Sequence, residues 1–195
     1  MQHLRPALVL ITLSTLLLGL GFPLAFTGLA TALVPDRANG SLIVRGGQVV
    51  GSSLIGQNVT SDRYFHSRPS ATTATDPNDP SKTIPAPYNA ASSNGSNLAP
   101  TSKALISRIA ADAAEEPRPI PADAVTTSAS GLDPDISPAN ALRQVERVAK
   151  SRGLPEDRVR ALVAAHIDGR FLGFFGEPRV NVLALNLAVD EAALR

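Results

Sequence analysis

The chain has 195 residues, with 18 Lys and Arg against 17 Asp and Glu, three His and no Cys. That balance supplies no basic field for phosphates, so no nucleic acid partner is expected. The absence of Cys excludes a disulfide framework, a thiolate nucleophile and Cys-ligated zinc. Sixteen Pro and 14 Gly with no Trp describe a loop-rich protein whose core must rest on aliphatic side chains.

Between Pro6 and Pro35 there is no charged residue, and Leu8, Val9, Leu10, Ile11, Leu13, Leu16, Leu17, Leu18, Leu20, Phe22, Leu24 and Phe26 fall within one run. At roughly 0.3 to 0.6 kcal/mol each, these side chains favour insertion into a bilayer by about 5 kcal/mol in all. The expected organisation is a short tail over 1–5, a transmembrane helix over 6–34 and one soluble mixed domain over 35–195. The fold class is therefore α+β behind a single N-terminal span. Pro23 removes the amide that would bond Gly19, which predicts a kink or tilt. Gly21, Ala25, Gly28 and Ala32 share one helical face and are candidate contacts for another membrane helix. A cleaved signal peptide is the rival reading, since Arg5 precedes the run and Ala30-Thr31-Ala32 resembles a cleavage site, but the run is long for that role. Arg5 on one side and Arg37 and Arg45 on the other leave orientation to the shortness of the N-terminal tail, which places the domain on the outer face.

Leu42-Ile43-Val44 and Gln48-Val49-Val50 flank a glycine turn and predict a hairpin that begins the sheet. Residues 57–100 are polar and carry Pro69, Pro77, Pro80, Pro85 and Pro87, which predicts a long irregular loop suited to contacts. Thr101 or Ser102 caps a predicted helix from Lys103 to Glu116 that packs on the sheet through Leu105, Ile106 and Ile109. Ser137-Pro138 starts another, ending at Gly153, and Pro155 opens a third that stops at Gly169. Val180 to Leu187 is apolar at nearly every position, the pattern of a central strand covered on both faces.

His3, His66 and His166 are too scattered to propose a metal site, and no nucleophile elbow or phosphate-loop motif occurs, so no catalytic residue is assigned. Asp133 and Asp135 read as a turn beside a helix start rather than as an acid and base pair. The Arg63-Tyr64-Phe65-His66-Ser67-Arg68 string mixes arginine with aromatics as interface centres do, which makes Tyr64, Phe65 and Arg68 candidate partner contacts. Equally, Tyr64 and Phe65 could complete a core poor in aromatics.

Specific strings extend along the chain: Gly51-Ser52-Ser53-Leu54-Ile55-Gly56-Gln57, Arg68-Pro69-Ser70-Ala71, Tyr88-Asn89 with Gly95-Ser96-Asn97-Leu98, Ser128-Ala129-Ser130-Gly131-Leu132-Asp133-Pro134 and Gly176-Glu177-Pro178-Arg179-Val180-Asn181-Val182-Leu183. Together they resemble the C-subunit family of the Kdp potassium-transporting P-type ATPases. The sequence departs from that pattern at Ala90, Asn94, Ala99 and Ser102; Ala99 then requires a backbone with negative φ. The resemblance implies a non-hydrolysing accessory subunit of a high-affinity potassium uptake complex in the bacterial cytoplasmic membrane. Its implied partners are a channel-like potassium-binding subunit, an ATP-hydrolysing subunit and the bilayer, and it adds Tyr88 and Asn89 to the contact candidates. It further implies help in assembly and a rise in the ATP affinity of the hydrolysing subunit, with no cofactor bound autonomously and ATP met through the complex. Two alternatives stand beside it: a nucleotide-binding regulator with a cytosolic domain, using Ser93, Gly95, Ser96 and Asn97 for phosphates, and a cleaved secreted binding domain.

Overall fold

The computed structural model describes residues 3–114 and 119–193. The chain divides into two compact units, Met1–Ser52 and Ser53–Arg195. The first hairpin thus groups with the apolar helix and not with the domain that the sequence places from residue 35.

In the first unit, helix α1 runs over Leu4–Leu33 and is long and apolar enough to cross a membrane. Its middle, Thr15–Gly21, has π-helical bonding, with the Phe22 amide donating to the Leu17 carbonyl. Pro23 follows at once and has no amide to give Gly19. The wider turns are the accommodation that a helix-interior proline demands. A short turn of helix, α2 (Pro35–Ala38), leads to strands β1 (Leu42–Arg45) and β2 (Gln48–Ser52). They pair antiparallel with Arg45 opposite Gln48, and the intervening Gly46 and Gly47 both have positive φ, as a tight two-residue hairpin turn requires. This pair is a sheet of its own rather than the start of a larger one.

In the second unit, the loop predicted over 57–100 contains a hairpin, β3 (Thr73–Asp76) with β4 (Asp79–Pro85). Its strands are largely polar, and a two-stranded ribbon leaves each an open edge where Pro80 and Pro85 cost no ladder bond. Helix α3 (Lys103–Ala114) forms where expected; residues 115 and 116 of that prediction lie outside the described residues. None of its residues is fully buried, Leu105 and Ile109 being half-buried, so it does not bury the apolar stripe as a helix packed closely on a sheet would. Its stripe of two isoleucines, a leucine and alanines offers little area to gain.

A short α4 (Ala122–Val125) precedes strand β5 (Asp135–Ile136). Ser137 caps the next helix as predicted, its hydroxyl oxygen accepting from the Asn140 amide at 3.1 Å. That helix is broken at Gln144 into α5 (Pro138–Arg143) and α6 (Val145–Arg152), and Gly153, at φ 66°, ends it. Helix α7 (Glu156–Ala165) stops four residues before Gly169, because Ile167 and Asp168 form strand β6 against Val180 and Arg179.

The segment Val180–Leu187 requires the largest correction. Strand β7 covers only Arg179–Asn181; it does lie between β5 and β6, but the chain then turns into helix α8 (Val182–Ala193). Asn181 makes the turn: its side-chain oxygen accepts from the Ala184 amide at 3.0 Å, as an N-cap does. The buried positions Val182, Leu185, Asn186 and Val189 follow helical spacing. A run apolar at nearly every position hides that period. The core is built mainly of valines from α6, α7, β7 and α8, with Phe65 its one aromatic residue.

Candidate functional site

The segment Tyr64–Arg68 is fixed to the helices by side-chain amides. Asn186 accepts from the Phe65 amide at 2.7 Å and donates to the Phe65 carbonyl at 3.0 Å. Gln144 does the same for His66, at 2.7 and 3.1 Å, and also accepts from Arg147 and donates to Asn140. Two consecutive residues without a strand partner thereby satisfy their backbone groups on α8 and at the α5–α6 break. Phe65 itself is fully buried in the core.

Tyr64 lies under the Arg152 guanidinium, 4.3 Å from its ring centre, and its hydroxyl donates to Asp190 at 3.3 Å. Arg152 pairs with Asp190 at 2.7 Å and donates to the Arg63 carbonyl.

Arg68 pairs with Asp133 at 2.9 Å and donates to the Thr126 and Thr127 carbonyls. Its own carbonyl accepts from the Tyr88 hydroxyl at 2.7 Å, and burial pushes the Tyr88 pKa up to about 12. Asn89 donates to the Thr73 carbonyl at 2.8 Å. Ser70 donates to the Gly131 carbonyl at 2.7 Å. Close approach explains three glycines. A Cβ at Gly56 would collide with the Tyr88 ring, one at Gly95 would lie 2.7 Å from the Ala129 carbonyl oxygen, and one at Gly131 2.6 Å from that of Asn94.

The phosphate-binding candidates belong to this same cluster. Ser93 donates to the Ser130 carbonyl at 3.0 Å, the neighbouring Asn94 amide donates to the same oxygen, and Gly95 sits against Ala129. Ser96 is half-buried and Asn97 exposed with φ at 50°. Asn94 and Ala99 both lie outside the positive-φ region, so neither departure strains the loop. Asp133 and Asp135 are joined as a turn, the Asp135 amide donating to the Asp133 carboxylate at 3.1 Å.

Beside the cluster opens a cavity of about 680 Å³ walled by His66, Arg68, Tyr88, Asn140, Arg143 and Arg147 among others, with no carboxylate in its lining among the described residues. Burial pushes the Arg147 guanidinium down, and burial followed by Arg147 pushes His66 down. Such a wall repels cations.

Gly21, Ala25, Gly28 and Ala32 are all exposed on α1, with open space at Gly28. Sequence reasoning missed the two amide clamps and Asp123, whose carboxylate accepts from the Ser137 amide and hydroxyl and from Asn140. Asn186 breaking an apolar run was the available signal for one of them.

The model of the family described as K+-transporting ATPase, c chain, matches residues 4–191. Similar proteins include one of Methylobacterium nodulans, 66% identical over 99% of this chain and 98% of its own, and one of Methylorubrum populi, 62% identical over the whole of both. A third, of Rhodopseudomonas palustris, is 62% identical over 98% of this chain and 99% of its own. All three are named potassium-transporting ATPase KdpC subunit. Matches that run from the apolar helix to the last helix place this chain in the KdpC family, the c chain of the K+-transporting ATPase.

Proposed function

We propose that this chain is the non-hydrolysing accessory subunit of an ATP-driven, high-affinity potassium uptake complex. In this reading α1 stays in the bacterial cytoplasmic membrane as a single span, and its Gly21, Ala25, Gly28 and Ala32 face packs against a helix of a partner subunit. The domain lies on the outer face and docks on the channel-like potassium-binding subunit. The observation that carries the reading is the full-length family match, which joins the membrane helix and the domain in one protein. The internal engagement of Arg68, Ser93 and Asp133 supports a body that works by contact.

The chain also raises the ATP affinity of the hydrolysing subunit. With the domain outside, that effect passes through the membrane helices, as a coupling between two distant sites.

The test is to purify the complex through a tag on the hydrolysing subunit, with this chain present, omitted or carrying Gly21→Leu and Gly28→Leu. Omission is expected to raise the KM for ATP, and the leucine pair to lower recovery of the chain. An unchanged KM on omission, or nucleotide hydrolysis by the purified chain alone, overturns the proposal. Binding of labelled ATP to the chain alone in equilibrium dialysis, with the domain protease-sensitive only from the cytosolic side of sealed vesicles, supports the nucleotide-binding regulator instead.

A further inference from the structure

The helix pair α5 and α6 serves two environments. Ala141, Val145, Val148 and Ala149 enter the core, whereas Asn140, Arg143, Gln144 and Arg147 recur at helical spacing along the wall of the cavity. Asn140 and Gln144 are buried, and the two arginines are half-buried. The polar stripe of a core helix ordinarily faces open water. This one is held partly out of it.

The stripe sets two like charges one helical turn apart. Arg143 donates to the Asn140 side-chain oxygen at 3.1 Å and Arg147 to that of Gln144 at 2.7 Å, so neutral amides orient both guanidiniums. Burial pushes both down; at Arg147 Asp62 opposes the effect and Arg143 adds to it. Arg68 and His66 line the same cavity, and among the described residues no carboxylate does. The carboxylates that reach these residues stand outside the lining. Asp133 pairs with Arg68, Asp123 accepts from Asn140 at 3.0 Å, and Asp62 lies 3.6 Å from Arg147 with its side chain 74% exposed, where water and salt screen it. Neighbouring cations held half out of water cost stability, and an anion bound against them offsets that cost.

We propose that this cavity is a binding site for a small organic oxyanion, a molecule that carries a carboxylate or a phosphate group. Arginine forks match either group with paired hydrogen bonds, which a scattered set of surface lysines does not. The volume of about 680 Å³ is that of a small-molecule site rather than of a bare ion. Val59, Pro69 and Pro87 give the body of such a molecule an apolar wall, and Asn58 and Thr60 add hydrogen-bonding groups. None of Ser93, Gly95, Ser96 and Asn97 lines the cavity, so the site is separate from the phosphate candidates of the polar loop.

The full chain in detergent is titrated calorimetrically with succinate and with glycerol 3-phosphate, and with sodium chloride at matched ionic strength as the control. Saturable binding of at least one probe is expected, the tighter of the two naming the group recognised. Arg143→Gln is expected to weaken it about tenfold or more, since a charge-assisted contact is lost. Arg160→Gln, an exposed arginine on α7 outside the lining, leaves it unchanged. A second readout on the parent chain needs no folded variant of the site: the ring NMR signals of His66, assigned by their loss in His66→Gln, move with the same saturation while those of His166 stay in place. No binding of either probe into the millimolar range, or an equal response to sodium chloride, overturns the proposal. So does saturable binding that leaves either the His66 signals or the Arg143→Gln affinity unchanged. Binding of ATP with no competition from either probe overturns it too, and supports the nucleotide-binding regulator.

Discussion

Asn186 gives its one side-chain acceptor and one of its donors to a single residue, Phe65, 121 positions earlier in the chain. The amide takes the part that a neighbouring strand would play, and it does so inside the core, where a lone polar group is costly. Gln144 repeats the device on His66. A loop segment is thereby made as firm as a strand, and it carries Tyr64, His66 and Arg68 at defined places on the surface.

Replacing Asn186 by Ala leaves the Phe65 amide and carbonyl without partners. At about 1 to 3 kcal/mol for each buried group, a loss of about 2 to 6 kcal/mol is expected. Urea unfolding of the full chain in detergent, followed by circular dichroism, measures it. A loss under about 1 kcal/mol would mean that water enters to replace the amide.

Gly131 and Gly153 have nearly the same φ, 68° and 66°, but only Gly131 has heavy atoms in the place of a Cβ. Gly153→Ala therefore carries the backbone cost alone, about 1 kcal/mol. Gly131→Ala adds displacement of Thr72 and Asn94 and is expected to cost at least twice as much in the same assay. Equal losses would show that the loop cluster yields freely.

His66 is held below the usual histidine range by burial and then by Arg147, with Arg143 adding to the effect and Asp62 opposing it. The unfolded chain then takes up the proton more readily than the folded one, so stability is full above the ordinary histidine pKa and falls as pH drops through about 6.5 toward the folded value. Burial pushes Asp135 up, which acts in the opposite sense but only nearer the carboxylate range. Thermal melts between about pH 7.5 and about pH 5.5 isolate the histidine. The expected result is a lower Tm at the acid end for the parent chain and a flatter profile for His66→Gln, which keeps its backbone clamp.

The local signals in the sequence carried well where chemistry is confined to a few neighbouring residues. The Gly46-Gly47 turn, the Ser137-Pro138 helix start and the Gly153 stop are all such cases. The signals failed where distant residues decide. Val182 to Leu187 became helix because Asn181 caps it and Asn186 is needed at Phe65, and although both asparagines interrupt the apolar run, their distant roles are not written in it. The β3–β4 hairpin escaped notice because strands this polar have no alternation to read. Arg68, a candidate partner contact, and Ser93 and Gly95, candidates for phosphates in the nucleotide-binding alternative, meet mainly one another's loops, as does Ser70.

Tyr64 offers the sharpest separation of structure from docking. Its hydroxyl reaches Asp190 at 3.3 Å, a long bond on a half-buried group, so Tyr64→Phe is expected to cost under about 1 kcal/mol. Arg152 is 4% exposed and pairs with Asp190 at 2.7 Å, so Asp190→Ala strands a buried guanidinium and is expected to cost about 3 kcal/mol. If Tyr64 also anchors a partner subunit, Tyr64→Ala lowers recovery of the assembled complex beyond what its loss of stability explains, whereas Asp190→Ala lowers recovery only in step with unfolding. Recovery measured against Tm for both variants distinguishes the two: a single line through both points would make Tyr64 a support for the Arg152 side chain and nothing more.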